Sequence, residues 1–361
     1  MTRFLNIIFA LILAATVYGQ SPVTEFIKRP AFETGVIFQR WTANANRTLD
    51  EIVVPLVVHY PVSERFSVSV MNTPTHARLH NADTAFSLAG FTDTKISTAW
   101  ILGEERALLN FGVSAPSGRT ALNAGETLVA QQITSHALAM PTSYFGGGVD
   151  VSASLAAALE VGGWILGGSV GGVYHGRYTP IAGSAKYLPG PEISLALGFD
   201  RPLGERSRIF GDVGYTWYGK DKFGAQKDSL AEGKIYFSLA GILAAEKWQA
   251  AFLLENRLKR KRPFVLSSGL PVGYGNEFDF SVELARQMNR DAALLASAFL
   301  RIYGKNDNGV GEAAVIGIGP GWRGLIAPPL QIEAVAHFAI GKIDGNQILG
   351  GDVKVGFIYQ F

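Results

Sequence analysis

The sequence predicts an all-β fold in which about 16 antiparallel strands close into a transmembrane β-barrel. Three observations predict this fold. The chain ends on a strand with one apolar face, polar and apolar residues alternate along many other segments, and the connections between segments alternate between short and long. These are properties of strands that pair at both edges and contact lipid on one side.

The last strand, 350–361, divides its residues between two faces, because successive side chains of a strand point to opposite sides. One face carries Asp352, Lys354, Gly356, Ile358 and Gln360. The other face is apolar and carries Val353, Val355, Phe357, Tyr359 and Phe361. It resembles the closing strand of outer-membrane barrels, which implies an assembly signal that the barrel-assembly machinery reads. The alternative is an edge strand of a soluble sandwich, although such strands usually carry charge or proline.

The Gly-rich stretch 146–174 has the apolar content of a helical hairpin, but its pattern indicates strands. Polar and small residues occupy the even positions from Asp150 to Glu160, and apolar residues occupy the odd positions from Val151 to Leu159. A helix would scatter these polar residues around its axis, whereas a period of two places them on one face of a strand.

The connections test the strand count. If both termini lie in the periplasm, the direction of the last strand determines all the others. The periplasmic connections are then short, at 60–64, 103–105, 160–161, 201–205, 244–245, 287–291 and 323–327. The external ones are long, at 73–92, 115–146, 175–189, 219–232 and 258–276. The regular alternation favours about 16 strands, and about 14 stays open because two early strands are weak.

The amino-terminal residues 1–19 are typical of a secretory signal peptide. Arg3 precedes an apolar run, Phe4 to Val17, that is short for a membrane-spanning helix, and Gly19 is small enough for cleavage before Gln20. We therefore expect export and a location in the bacterial outer membrane. Residues 20–361 are predicted to form a single outer-membrane β-barrel domain.

Composition limits the chemistry that the chain offers. The sequence contains 0 Cys, which excludes disulfides and thiolate metal sites. The formal net charge is +2 and charged residues make up 17%, so no nucleic-acid partner is expected. Glycine is abundant at 42 residues and aromatics reach 11%, as suits strands between lipid and a crowded lumen.

One part of the chain resembles a known family. A strand ends in Tyr60, a turn carries Glu64 and Arg65, and a later strand runs into a Pro116-Ser117-Gly118 turn. These motifs, across roughly residues 50–120, resemble the outer-membrane transporter family named "MetA-pathway of phenol degradation", with Ser117 where threonine is commoner. The resemblance implies a barrel that takes up small aromatic or hydrophobic compounds.

No catalytic, cofactor or metal motif is found. His76 and His80 have a spacing of four but lack the Glu of a zincin motif, and the Gly-rich run 167–172 is not followed by the Lys of a phosphate loop. His337 is predicted to point into the lumen, with no serine beside it in a recognisable motif. We therefore expect a protein that is not an enzyme and uses no cofactor.

The longest external connection contains a helix signal. Asn123 precedes Glu126 by three positions, as in a capping box. Apolar residues then recur at helical spacing, namely Leu128, Val129, Ile133, Ala137 and Met140. A helix is predicted over 125–139. Three placements remain open: over the mouth, inside the barrel as a constriction, or simply packed on the loops.

The basic run 257–262 begins at the end of a predicted strand and contains Arg257, Lys259, Arg260, Lys261 and Arg262. Its positive charge predicts contact with outer-membrane lipid and lipopolysaccharide headgroups, the alternative being a solvated loop.

These expectations point to a channel or transporter for passive uptake of small solutes, and the family resemblance implies aromatic or hydrophobic compounds among them. Strand alternation predicts these lumen-lining candidates: Glu192, Asp212, Lys234, Glu255, Asp279, Glu283, Arg301, Glu333, His337, Asp352 and Lys354. Both signs of charge occur, so strong ion selectivity is not expected. A structural or adhesive barrel with a closed lumen is the alternative, because other inward positions such as Ala196, Gly198 and Phe299 are small or apolar. An outer-membrane enzyme is less favoured.

Overall fold

The structure is a computed structural model that describes residues 29–43, 47–103, 106–224, 226–227, 233–259, 275–305, 311–327 and 329–360. The described residues form a closed antiparallel barrel of 16 strands, which confirms the predicted fold class. The predicted signal peptide, residues 1–19, lies outside the described residues.

The first part of the chain contains β1 (Ala31–Ala43), β2 (Arg47–Val53), β3 (Leu56–Ser63), β4 (Phe66–Asn72), β5 (Thr75–Asn81), β6 (Thr84–Gly90), β7 (Thr94–Leu102), β8 (Ala107–Ala115) and helix α1 (Ala124–Ile133). The middle contains β9 (Asp150–Val161), β10 (Trp164–His175), β11 (Tyr187–Leu188), β12 (Glu192–Pro202), β13 (Arg208–Tyr218), β14 (Lys222–Phe223), β15 (Gln226–Lys227), β16 (Gly233–Ala244) and β17 (Trp248–Lys259). The last part contains β18 (Asn276–Gln287), β19 (Ala292–Tyr303), β20 (Ala313–Ala327), β21 (Leu330–Ile343) and β22 (Asn346–Gln360).

The barrel closes between its first and last strands. β1 pairs antiparallel with β22 over its whole length, from Ala31 opposite Gln360 to Ala43 opposite Ile348. The wall then runs β1, β3, β4, β7–β10, β12, β13 and β16–β22. Because each of these 16 wall strands has a neighbour on each side, the wall as described has no open sheet edge in lipid.

Next to β1 the sheet contains additional short strands that the alternation did not predict. β1 pairs with β3 near its start and with β2 near its end, and β2 pairs with β5, which forms a hairpin with β6. The predicted long connection at 73–92 does join the neighbouring strands β4 and β7, but most of it forms this hairpin, which the alternation did not predict. Its strands are short and Pro74 interrupts the path from β4 into β5, so the sequence signal is weak.

Connection lengths differ between the two ends of the barrel. At the end that holds both described termini, strands are joined by short connections such as 64–65, 162–163, 203–207 and 288–291. At the other end the connections include 116–149 and 176–191. A tight turn between β21 and β22 also lies there, where Asp344 and Gly345 both have left-handed backbone conformations with φ of 49° and 80°.

Two side-chain faces separate cleanly along the strands. Large apolar residues on alternate positions, such as Val36, Leu195, Phe237 and Ile318, are exposed on the outer surface, as lipid contact requires. The sequence has aromatic residues near the ends of many predicted strands, which predicts girdles of outward-facing rings at the two membrane interfaces. Of these aromatics, Trp100, Tyr174 and Trp248 are exposed. Trp41 and Tyr303, which the same pattern predicted there, are buried on the inner face.

Within the described ranges no helix is both long and apolar enough to cross a membrane.

Candidate functional site in the lumen

The connection between β8 and β9, residues 116–149, folds inward, and we call it the inner segment. It contains α1, which begins at the predicted capping box. The Asn123 side chain accepts a hydrogen bond from the Glu126 amide (2.9 Å), and the Glu126 carboxylate accepts one from the Asn123 amide (3.0 Å). The helix ends at Ile133, before the predicted limit of 139, and Thr134 forms its C-cap. The inner segment continues as turns that still bury apolar side chains.

An apolar cluster holds α1 against the inner face of the wall. Val129 and Ile133 are fully buried and pack with residues of β5 and β6. The wall residues of this cluster come from β1, β2, β5, β6 and β20–β22, and they are Trp41, Leu49, Ala77, Leu79, Leu88, Val315, Ala339 and Ile348. Their strand neighbours Ile316, Phe338 and Leu349 are exposed on the outer surface. The helix therefore lies on the inner side of the β5–β6 hairpin and of the adjoining strand ends, and its role as a constriction stays a prediction.

After α1 the inner segment reaches the strands on one side of this cluster. The Arg301 guanidinium donates to the Ala137 carbonyl (3.0 Å), and the Tyr303 hydroxyl donates to the His136 carbonyl (3.4 Å). The His136 ring contacts the Glu277 carboxylate, with Nδ1 3.1 Å from Oε2. These contacts attach residues 136–137 to β18 and β19.

The following residues attach to β1 and β2. The Gln39 amide donates to the Leu138 carbonyl (2.7 Å), and the Thr142 amide lies 3.2 Å from each oxygen of the fully buried Glu51 carboxylate. Residues 136–142 thus run along the inner wall from β18 to β2. The wall side chains in these two contacts, Gln39 and Glu51, are polar and face inward. A closed apolar core would not contain them.

Charged networks line the wall near this attachment. Arg257 is buried and contacts three carboxylates, those of Asp279 (2.6 Å), Glu255 (3.2 Å) and Glu277 (3.2 Å). The Tyr303 hydroxyl also donates to Asp279 (2.8 Å). Arg257 belongs to the basic run that was predicted to contact lipid and lipopolysaccharide headgroups. For Arg257 this prediction is wrong, because its side chain points to the lumen. Lys259 belongs to a strand, but its side chain and residues 260–262 lie outside what the structure describes.

A second network lies on β18, β20 and β21. Arg323 contacts Glu333 (2.6 Å) and Glu283 (3.2 Å). A third joins His337 to Ser297 and Asp352, with the Lys354 ammonium 4.0 Å from Asp352. Arg257, Glu277, Arg323 and Ser297 were absent from the predicted lumen set. These four residues occupy the same alternate positions of their strands that placed Glu255 and Asp279 on the inner face. Their inward orientation could therefore have been predicted from the sequence.

All the residues predicted to line the lumen lie on the face of the wall opposite the exposed apolar residues, and their contact with a passing solute stays a prediction. Besides Lys354, seven belong to the contacts described above or to the attachment of the inner segment, namely Glu255, Asp279, Glu283, Arg301, Glu333, His337 and Asp352. Asp212 accepts a hydrogen bond from Ser238, and Glu192 lies 3.3 Å from His175. Lys234 and Lys354 complete the set.

The opposite wall, β3–β12, carries small polar groups. Ser69 contacts His59 Nδ1 (2.8 Å), and the Asn110 amide donates to Ser154 (3.4 Å). Further inward positions are Ser67, Ser97, Ser152, Ser169 and Ser194. Ser169 remains exposed, as does the Lys354 side chain across the barrel at 51%, so solvent reaches both walls.

The predicted assembly residues Val353, Val355, Phe357 and Tyr359 lie on the outward face of β22. Phe361 lies outside the described residues. This strand pairs with β1, as expected for the closing strand of a barrel. Recognition of its apolar face by the barrel-assembly machinery stays a prediction.

Two solved structures of bacterial outer-membrane proteins share this fold over nearly the whole of both chains. The "High pH structure of Pseudomonas putida OprB" has a TM-score of 0.52 and 7% identity, and covers 94% of this chain and 96% of its own. The "Bacterial polysaccharide outer membrane secretin" has a TM-score of 0.51 and 11% identity, and covers 92% and 98%. At these identities the likeness establishes an outer-membrane barrel fold. No protein-family model matches the sequence, and no curated protein matches it.

Proposed function

We propose that the protein is an outer-membrane channel through which small solutes diffuse passively. The single observation that carries the proposal is the inner segment, which polar contacts attach along the inner wall. We infer that it narrows the lumen and leaves a polar path beside it. A barrel of 16 strands is wide enough for an aqueous path beside such a segment.

The lining suggests how solutes pass. Acidic and basic groups lie close to one another on the β13–β22 wall. Serine and glycine predominate on the opposite wall. A solute therefore meets many weak polar contacts and no field of a single sign, which favours passage with little ion selectivity.

We extend this proposal to small aromatic or hydrophobic compounds. The support is the resemblance of residues 50–120 to the phenol-degradation transporter family, together with aromatic rings on the inner face. The Phe299 ring lies beneath the Arg301 guanidinium at 4.3 Å, and the Tyr303 ring is adjacent on the same strand. A signal peptide at 1–19, lipopolysaccharide contact and delivery by the barrel-assembly machinery belong to the same proposal.

The alternative, a structural barrel with a sealed lumen, is favoured by the apolar cluster under α1. The two functions differ in one measurable property, which is conductance.

The test replaces residues 116–149 by a short glycine-rich turn. The replacement is feasible because β8 and β9 are hydrogen-bonded neighbours, with Ser114 opposite Asp150. We expect the wild-type protein to open discrete channels in a planar bilayer and the variant to conduct several-fold more. Heat-modifiable migration on gels would verify that both are folded. A folded variant with unchanged conductance would contradict the constriction, and silence from both proteins would support the sealed barrel.

A further inference from the structure

Three inward-facing side chains on the wall form an arrangement that the channel proposal does not use. Ser297 on β19, His337 on β21 and Asp352 on β22 are hydrogen-bonded in a row. We propose that they form a hydrolytic site for small carboxylic esters that enter the lumen. The proposal goes beyond passive diffusion, because a channel needs no such row.

The ring nitrogens face the partners that acyl transfer requires. His337 Nε2 lies 2.7 Å from Ser297 Oγ, and Nδ1 lies 3.1 Å from Asp352 Oδ2. The Asp352 carboxylate only accepts hydrogen bonds, so it selects the tautomer with the proton on Nδ1. Nε2 is then free to accept the serine proton, as a general base must. The Ser297 hydroxyl has a second acceptor, the Gly319 carbonyl, at the longer distance of 3.2 Å.

Glycine makes the contact across a strand possible. β20 lies between the strands of Ser297 and His337, and its residue opposite Ser297 is Gly319. A Cβ at this position would collide with the backbone of Ala336. Gly319 therefore places no side chain between the two strands, and the His337 ring reaches across it to Ser297. The edge-on contact between the His337 and Phe299 rings, 5.7 Å apart, restricts the ring further.

The flanking side chains indicate the substrate class. Leu295 and Phe299 lie two positions before and after Ser297, on the same face of β19. Phe299 is partly exposed beside the nucleophile and Leu295 is buried on its other side, so both flanks are apolar, while Ser297 itself is half-buried. Esters with a short apolar acyl group fit this arrangement.

The reaction balances without a cofactor. Ser297 Oγ forms a bond to the acyl carbon as its proton passes to His337 Nε2. The bond between that carbon and the alcohol oxygen breaks, and the alcohol leaves with the proton from His337. Water then attacks the acyl-serine with His337 as base, which releases the carboxylic acid and restores Ser297. Asp352 acts as a positioning residue, since it contacts only the imidazole.

The first experiment treats the folded wild-type protein in detergent with a fluorophosphonate probe, followed by peptide mass spectrometry. We expect the probe on Ser297. Mapping the label on the wild type needs no variant, so a folding defect cannot obscure the result. An unlabelled folded wild type, or label only on other serines, would overturn the proposal.

The second experiment measures hydrolysis of p-nitrophenyl acetate and butyrate. Ser297→Ala should lose labelling and lower kcat/KM at least 100-fold. Asp352→Asn should lower kcat at least tenfold with KM nearly unchanged, and Asp352→Glu should restore part of it. Ser69→Ala is the matched control, because Ser69 bonds a histidine through Nδ1 on the opposite wall, and it should keep wild-type activity.

Conductance separates this inference from the channel proposal. Ser297→Ala should conduct like the wild type while it loses hydrolysis. Equal hydrolysis by Ser297→Ala and the wild type would refute the site and leave the channel proposal intact.

Discussion

At the scale of single residues, the lumen depends on charges that are neutralised by neighbours. Arg257 is the clearest case, since it is buried and three carboxylates converge on it. A buried charge without a partner is far more costly than a buried pair, because desolvation is no longer offset by attraction. The same cluster attaches His136 through Glu277, so it links wall stability to the inner segment.

Replacing Arg257 by glutamine should therefore destabilise the folded barrel by about 3–5 kcal/mol. The change leaves Glu255, Glu277 and Asp279 close together with no guanidinium between them. Unfolding in urea, followed by intrinsic fluorescence in detergent, measures the loss. Arg40→Gln is the control, because the Arg40–Asp50 pair is exposed and should contribute less than about 1 kcal/mol. If Arg257→Gln lowers the free energy of unfolding as little as Arg40→Gln does, the Arg257 network is not stabilising.

At the scale of elements, α1 combines a local signal with a distant packing partner. The capping box determines where the helix begins, and the wall cluster determines where the helix lies. A helix of ten residues is marginal by itself in water, so packing of Val129 and Ile133 supplies the stability that local propensity lacks.

Asn123→Ala should weaken the start of α1 by about 1 kcal/mol, because the Glu126 amide loses its acceptor. Hydrogen exchange of the amides in the first turn of α1 should accelerate about fivefold, while exchange in β9 stays unchanged. Leu128→Ala, on the exposed side of the same helix, serves as the control and should alter exchange little. A first turn that exchanges at the wild-type rate in Asn123→Ala would contradict the role of the cap.

At the scale of the whole molecule, the pairing of β1 with β22 converts an open sheet into a barrel. Gly35 and Gly356 face each other across this seam. A Cβ at Gly35 would collide with the Val355 carbonyl oxygen and lie 2.9 Å from the Gly356 Cα, whereas a Cβ at Gly356 meets no described atom within 4 Å. The two facing glycines therefore differ in whether they can accept a side chain: Gly356 can and Gly35 cannot.

Gly35→Ala should reduce the fraction of protein that refolds into the heat-modifiable form, because the seam must shift to admit the methyl group. Gly356→Ala should refold like the wild type. The comparison on unheated and heated gels measures both. Normal refolding of Gly35→Ala would show that the seam yields easily, and failure of both variants would show that any added side chain disturbs closure.

The predictable part of the fold is the part that repeats locally. Alternation along β22 placed Asp352 inside and Val353 outside, and the same rule located the charged residues of β17 and β18. It failed at the β5–β6 hairpin, where strands are short and a proline interrupts the path. It also assigned Trp41 and Tyr303 to the membrane interface, because an aromatic near a strand end has the same sequence signature whichever way it faces.

The sequence by itself determined the barrel class, the two faces of most wall strands and the start of α1, because period-two alternation and a capping box act between residues close in the chain. Only the tertiary structure decided that α1 packs against the inner face of the wall, that Arg257 meets three carboxylates and that Ser297 reaches His337 across Gly319. These contacts join residues from different strands, and strand neighbours follow from register and closure of the whole sheet, which no local pattern specifies.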